Sequence, residues 1–385
     1  MSSGLTKFSI EKKDFFYDID LFNQDKFIIK SIPRNYLLSF DVNENPFCHV
    51  KELLAENKKN LLLIDQKLLE IYKPTIDISA DRIFSVQATE DFKTLEGVTN
   101  VLNFLQKHEF TKGEKLIVVG GGIIQDVAAF VGAVYKRGIS WVHFPTTLLS
   151  MCDSCIGGKA GVNYNGVKNQ LALFSAPSAI HINLNFLKTL SENEINSGLG
   201  EILKLCITGG DTFIKIYREN VCSGKVALFE NFKKLITAAL CVKKSVVEED
   251  EFELDHRRSM NYGHTLGHAI ESLSNYQIPH GQAVVVGMIL VNTLSYEQGL
   301  LTETQLHSLN ELCCDLISNN VIEALKKIKL EEIIGLIKKD KKTIGDNTSF
   351  VLMKNSGETV FVKLKLDGKL LSRIQSAFDS LLNIV

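Results

Sequence analysis

The run Asn261-Tyr262-Gly263-His264-Thr265-Leu266-Gly267-His268-Ala269-Ile270-Glu271 holds the densest reactive chemistry of the chain. Two imidazoles four residues apart share one helix face, and the Glu271 carboxylate follows three residues later. His280 comes soon after, in Ile278-Pro279-His280-Gly281. Three neutral imidazoles around one point suit zinc or a similar divalent cation. The chain has nine histidines, so one pair at helical spacing is equally consistent with an ordinary half-buried helix. The metal reading therefore needs agreement from other parts of the chain.

Gly120-Gly121-Gly122 follows the apolar run Lys115–Gly120 and precedes a helix expected to begin near Asp126. Glycines there let a backbone approach a diphosphate, and a helix N-terminus favours its charge. The spacing is not G-x-G-x-x-G, so the usual dinucleotide fingerprint is missing. Asp65 closes the earlier apolar run Asn60–Asp65 and is placed to bind a ribose hydroxyl. Several cations lie inside motifs: Arg137, Lys159 after Gly157-Gly158, Lys168 beside Asn169, Lys204, and Arg257, with Lys243 and Lys341 joining them. Any one of these would by default be a solvated surface charge. Lys204, however, lies one helical turn from Glu201 on the same face. A phosphorylated, carboxylated substrate would need such a cluster.

The elements that must hold these residues follow from periodicity. Asn60–Asp65, Lys115–Gly120, Trp141–Pro145 and Ala179–Asn183 read as buried parallel strands, with helical patterns over 92–107 and 126–136 between them. This alternation predicts an α/β domain with a parallel, Rossmann-like sheet. Beyond about residue 186 helical periodicity dominates, over 192–207, 228–249, 265–273, 283–298 and 303–319. A hairpin is expected where 349–353 and 359–363 flank Asn355-Ser356-Gly357-Glu358. The predicted organisation is an N-terminal extension over 1–28 with one strand, an NAD-binding α/β domain over 29–186, and a helical metal- and substrate-binding domain over 187–385.

Bulk composition narrows the classes. The net charge of −2 gives no global basic field for nucleic acid, and the 45% hydrophobic content is that of an ordinary soluble protein. No apolar run reaches membrane-spanning length, and the N-terminus lacks the apolar core of a signal peptide. Cys152-Asp153-Ser154-Cys155 has the C-x-x-C form, which suggests redox or zinc chemistry, but no second such pair completes a zinc site. The eight cysteines read as reduced thiols of a cytoplasmic protein.

Several motifs occur in order: Gly120-Gly-Gly-Ile-Ile-Gln-Asp126, Arg137-Gly138, Pro145-Thr-Thr-Leu-Leu149, Asp153-Ser-Cys-Ile-Gly-Gly-Lys159, Gly161-Val-Asn163, Lys168-Asn169, Gly198-Leu-Gly-Glu201 and Asn261-Tyr-Gly-His-Thr-Leu-Gly-His268. From about residue 60 to about residue 345 the chain resembles the 3-dehydroquinate synthases, within the sugar phosphate cyclases. The resemblance implies an NAD-binding domain, a helical metal domain, an active site in the cleft between them, a homodimer, and one zinc or cobalt ion. It implies Glu201, His264 and His280 as metal ligands, with His268 beside the substrate phosphate assisting proton transfer. Arg137, Lys159, Asn169, Lys204, Lys243, Arg257, Asn261 and Lys341 match positions that hold substrate phosphate, carboxylate or hydroxyls, Arg137 reaching the partner subunit's site. Asp65, Glu90, Lys93, Gly121, Gly122, Asp126, Thr146, Thr147, Asp153, Lys168, Phe186, Thr189 and Glu194 match NAD-contacting positions.

The implied reaction converts 3-deoxy-D-arabino-heptulosonate 7-phosphate to 3-dehydroquinate and phosphate. It proceeds by oxidation through NAD, phosphate elimination, reduction and intramolecular aldol closure. The chain departs from the pattern at Gln125 and Ala129, where the synthases usually have glycine. It departs again at Asp255-His256 before Arg257, and at Asn165-Gly166-Val167 before Lys168-Asn169. A related cyclase acting on sedoheptulose 7-phosphate stays open, although Asn261, Arg257 and His268 favour dehydroquinate. A metal-dependent polyol dehydrogenase would explain the glycine turn but not the cation cluster. A non-catalytic binding module would be expected to have lost ligands that are present here.

Overall fold

Apolar runs buried on both faces make the central strands, because helices cover both sides of a parallel sheet. In chain order the strands are β1 (Leu5–Ile10), β2 (Lys13–Asp18), β3 (Lys26–Ile29), β4 (Tyr36–Phe40), β5 (Leu61–Asp65), β6 (Ile83–Val86), β7 (Lys115–Gly120), β8 (Ser140–Pro145), β9 (Lys159–Tyr164), β10 (Val167–Phe174), β11 (Ala179–Ile182), β12 (Val221–Cys222), β13 (Lys225–Val226), β14 (Asn347–Asn355) and β15 (Glu358–Lys365). The structure, a computed structural model, describes residues 5–76, 78–338 and 345–384. Two compact units emerge, Asn23–Ser191 on the one hand and Met1–Phe22 with Glu192–Val385 on the other.

In the unit Asn23–Ser191 the sheet order is β3-β4-β11-β8-β7-β5-β6. All neighbours are parallel except the edge pair β3–β4. The register pairs Gly120 with Pro145 and Ile64 with Val119, so the carboxyl ends of β5, β7 and β8 lie side by side. Ligands of open α/β sheets bind at such ends. The four strands expected from apolar runs appear as β5, β7, β8 and β11. Edge strands β3 and β6 are short and partly exposed, Ile28 at 51%, and leave a weaker pattern.

Two helix starts differ from expectation. The first helix runs over Leu95–Lys107, because the Thr94 hydroxyl accepts from Gly97 N and fixes the start there. The second runs over Gly122–Val134, not 126–136. The glycine triplet thus enters the helix itself, and Asp126 lies a full turn inside.

The second unit is mostly helical. Its principal helices are Glu192–Gly209, Asp211–Asn220, Asn231–Val247, His264–Leu273, His280–Glu297, Glu303–Cys314 and Gly368–Ile384. A four-stranded sheet of order β14-β15-β1-β2 completes it. The expected C-terminal hairpin is β14–β15, with Gly357 in the left-handed region at φ 72°. The N-terminal residues are not a separate one-strand extension. β1 and β2 form a hairpin whose first strand runs parallel to β15, and Phe8 and Phe15 stack at 5.5 Å between ring centres. Alternating buried and exposed side chains in β2 show why a sequence of mixed aromatic and charged residues still makes a strand.

Candidate active site

Three helices bring the metal-type residues together. Glu192–Gly209 carries Glu201 and Lys204, His264–Leu273 carries His264, His268 and Glu271, and His280–Glu297 opens on His280. Their closeness depends on glycine. A Cβ at Gly281 would fall 1.8 Å from the Ser197 carbonyl oxygen, and one at Gly200 would fall 2.3 Å from the Gly281 carbonyl oxygen. The backbone beside His280 therefore rests on the helix of Glu201, and no side chain could separate them.

Glu201 is buried at the centre. His280 Nε2 lies 3.2 Å and His264 Nε2 3.5 Å from its Oε1, and Lys204 Nζ lies 2.5 Å from its Oε2. Among the described residues these three contacts are the polar partners of its two oxygens. The outer nitrogens of both rings are tied down: His264 Nδ1 lies 3.2 Å from the Tyr262 carbonyl oxygen, and His280 Nδ1 lies 3.1 Å from Glu271 Oε2. With each Nδ1–H donating outward, both Nε2 lone pairs face the same carboxylate oxygen, which is how metal-binding histidines are oriented. One nitrogen from each of His264, His268 and His280 lies within 4.8 Å of the other two. This donor set fits a divalent cation. A proton can take the central place instead. Burial opposes charge on His280, but the hydrogen bonds to Glu201 and Glu271 outweigh it and raise the imidazole pKa to about 10. A metal would displace that proton. His268 differs from the other two in being exposed.

Lys204, Lys243 and Arg257 of this unit are all buried. Asp250 organises the segment leading to Arg257. Its carboxylate accepts from the backbone N–H groups of Leu254, Asp255 and Arg257 at 2.8, 2.9 and 3.0 Å. Burial would raise the Asp250 pKa, but these donors outweigh it and hold the group below its ordinary value. The Arg257 guanidinium donates to the Glu251 carbonyl, and Asn261 Nδ2 donates to Glu253 Oε1 at 2.9 Å.

The other unit gathers a second group at the carboxyl ends of its strands. Gly121 caps the Gly122–Val134 helix with no side-chain hydrogen bond, so the helix N-terminus is open to an anion. A Cβ at Gly121 would lie 2.8 Å from Thr147 Cγ2, whereas at Gly122 the nearest atom, Ser154 Oγ, is 4.0 Å away. Gly121 thus packs the turn against the segment after β8, and Gly122 leaves the room a diphosphate needs. Thr146 N donates to the Gly120 carbonyl at 3.2 Å. Lys93 Nζ meets Asp126 Oδ2 at 2.5 Å, and Lys168 Nζ meets Glu90 Oε1 at 3.6 Å. Burial pushes the Asp126 carboxyl up, and Lys93 offsets this only in part. Asp65 ends β5 as expected and also caps the next helix, accepting from Lys67 N. These residues fit a dinucleotide.

A family model described as 3-dehydroquinate synthase N-terminal matches residues 83–197, and one described as 3-dehydroquinate synthase C-terminal matches 198–343. A curated 3-dehydroquinate synthase of Streptococcus equi subsp. equi is 34% identical, the match covering 91% of this chain and 98% of the relative. The chain belongs to the 3-dehydroquinate synthase family. Among solved structures, a 2-deoxy-scyllo-inosose synthase complexed with carbaglucose-6-phosphate, NAD+ and Co2+ superposes with a TM-score of 0.76 at 21% identity, over 92% of this chain and 99% of that one. ValA, a 2-epi-5-epi-valiolone synthase from Streptomyces hygroscopicus with NAD+ and Zn2+ bound, gives 0.72 at 21% identity, over 93% and 100%. These two share the fold.

Other predicted residues of this family fall in varied places. Lys159 and Asn169 are exposed on β9 and β10, Asn169 in the left-handed region at φ 51°. Arg137 is exposed at φ 60° in the turn after the Gly122–Val134 helix. Asp153 lies in the single turn Ser150–Ser154. Phe186 is fully buried between Phe47 and Tyr72, so only its backbone can face a ligand, and its carbonyl accepts from the Thr189 hydroxyl. Glu194 begins the Glu192–Gly209 helix and so belongs to the helical unit. Lys341 lies outside the described residues. Three residues have roles that were not assigned from sequence. Asn163 links Glu90 to Asn169, donating to Glu90 Oε2 at 2.9 Å and accepting from Asn169 N at 3.0 Å. Glu271 orients His280, and Asp250 orders the Arg257 segment. The motif Gly161-Val162-Asn163 was the one signal for the first, and the pairing of Glu271 with His280 needed the fold.

Proposed function

We propose that this chain converts 3-deoxy-D-arabino-heptulosonate 7-phosphate to 3-dehydroquinate and inorganic phosphate. What carries the reading is the gathering of Glu201, Lys204, His264, His268 and His280 in a chain whose likeness spans 98% of a curated 3-dehydroquinate synthase. When bound, NAD supplies a hydride acceptor and donor, and a zinc or cobalt ion supplies a Lewis acid for the oxygen on the oxidised carbon. Glu201, His264 and His280 would hold the metal. Asp65, Gly121, Gly122, Asp126, Thr146, Thr147 and Asp153, with Glu90, Lys93 and Lys168 beside them, would hold the dinucleotide.

The residues themselves divide the remaining work. Lys204, Lys243, Arg257 and Asn261 would bind the substrate's anionic and hydroxyl groups, and burial strengthens the charged contacts, while Lys159 and Asn169 match substrate-binding positions of the family. His268, exposed beside the cluster, moves a proton to or from the phosphate oxygen, which itself accepts the proton lost in elimination. Arg137 would serve the partner's site in a homodimer. The absence of disulfides among the described cysteines supports a cytoplasmic setting, with the product feeding aromatic amino-acid synthesis by the shikimate route. Among the described residues no helix is long and apolar enough to cross a membrane.

The test is direct. Metal-loaded protein with catalytic NAD and 3-deoxy-D-arabino-heptulosonate 7-phosphate should release phosphate and form dehydroquinate without accumulating NADH. Release from sedoheptulose 7-phosphate alone would move the substrate to that sugar. Net NADH from a simple polyol would replace the cyclase by a dehydrogenase.

A further inference from the structure

Gln125 is a buried amide one turn into the Gly122–Val134 helix. Its side chain reaches Ser154 through two hydrogen bonds. Nε2 donates to the Ser154 carbonyl at 2.7 Å, and Ser154 Oγ donates to Gln125 Oε1 at 2.7 Å. Its backbone N–H donates to the Gly121 carbonyl at 3.0 Å. One residue therefore joins the glycine turn to the segment that carries Asp153.

That segment, Ser150–Ser154, is a single wide helical turn, a form that is uncommon and common near functional sites. Its first residue is held by Thr147, whose Oγ1 receives a hydrogen bond from Ser150 N at 3.2 Å. Its last residue is held by Gln125. Ser154 Oγ also stands 4.0 Å from where a Cβ of Gly122 would be, so the linked pair lies beside the first turn of the helix. A buried amide bonded on both its oxygen and its nitrogen allows one orientation only.

We propose that Gln125 is a positioning residue for cofactor binding. It fixes Asp153 and Ser154 against the first turn of the helix, so that the two walls of the dinucleotide cradle are set before NAD arrives. Preorganisation of this kind lowers the ordering cost of binding. The inference rests on the NAD reading given above.

Calorimetric titration of NAD into the full chain, without any sugar phosphate, tests it. Gln125→Leu removes both hydrogen bonds and should raise the NAD Kd on the order of tenfold. Ser154→Ala removes one, keeps the bond to the Ser154 carbonyl, and should raise Kd about threefold. It also remains readable if the leucine variant folds poorly. The losses should fall on Kd and on KM for NAD, not on kcat at saturating NAD. Unchanged Kd in both variants would overturn the proposal even if their melting temperatures dropped, since a merely structural link would do that. NAD binding without cyclase activity would defeat only the substrate assignment, whereas an unaltered chain that takes up no NAD would defeat the cofactor reading and this one together.

Discussion

The two chemical centres of this molecule are built on opposite electrostatic plans. Near the glycine turn two ion pairs are made within the protein: Lys93 faces Asp126, and Lys168 faces Glu90. At the histidine centre, acceptors converge. Glu201 Oε1 faces the inner nitrogens of His264 and His280, whose outer nitrogens are taken by the Tyr262 carbonyl and Glu271. The first arrangement is complete as protein and awaits a ligand of matching shape. The second has the Lys204 cation on Glu201 Oε2, and on the Oε1 side, between the two imidazoles, it can take a proton or a metal.

The largest effect should come from removing the charge on Glu201. Glu201→Gln takes away the shared carboxylate and should lower zinc affinity by more than about 100-fold, read by metal content after dialysis. Retained metal would mean that the three imidazoles suffice and that the contrast between the centres is overstated. His268→Ala should keep the metal and slow turnover by roughly 10²–10⁴-fold, the usual range for a proton-transfer group. Metal loss equal to that of Glu201→Gln would make His268 a ligand, which the approach of one nitrogen from each of the three imidazoles to within 4.8 Å of the others permits.

The sheet unit makes a separate prediction, because its interior excludes charge. His143 on β8 is fully buried under the glycine turn, its Nε2 3.3 Å from the Gly120 carbonyl. Burial pulls its pKa from 6.5 down to about 4. The unfolded chain therefore takes up this proton before the folded one does. Stability is fully present above about pH 6.5 and declines as pH falls toward 4, by on the order of 3 kcal/mol for this group. His181, buried on β11 with Ser39 Oγ 2.7 Å from its Nδ1, shifts to about 4 for the same reason and adds to the slope. Denaturant midpoints at several pH values should show it, and His143→Gln should flatten the curve. A slope that is unchanged in that variant would place the titrating group elsewhere.

Much of this was legible in sequence where one residue type has one use. The apolar runs of β5, β7 and β8 admit little besides a buried parallel strand, and the ordered motifs carried the family. The edges were harder. β3 and β6 are half exposed, so their periodicity is diluted, and β1–β2 gains its identity only by pairing with β15, hundreds of residues away. The helix after Gly121 began earlier than expected because glycine weakens helix propensity, while the strand exit and the open anion site fix the start. Long-range side-chain partners were not legible at all. Gln125 was visible as a departure, but its meaning lies in Ser154, and Glu271 was visible beside the two imidazoles, but its partner His280 came only with the fold.

Glu271 gives the finest test of the contrast between the centres. Its carboxylate touches His280 Nδ1 at 3.1 Å, while Glu201 occupies the other side of the ring. If the carboxylate serves to keep Nδ1 protonated and Nε2 available, Glu271→Gln retains an acceptor oxygen but loses the charge that makes the ring a better donor. Metal affinity should then fall by about 10- to 100-fold, less than for Glu201→Gln, because no ligand is removed. Competition with a colorimetric chelator would measure it. The same substitution should leave NAD affinity alone, since Glu271 belongs to the helical unit, whereas the ion pairs Lys93–Asp126 and Lys168–Glu90, among the residues proposed to hold NAD, lie in the sheet unit. A parallel loss of NAD affinity would show that the two centres, so differently built, do not bind their ligands independently.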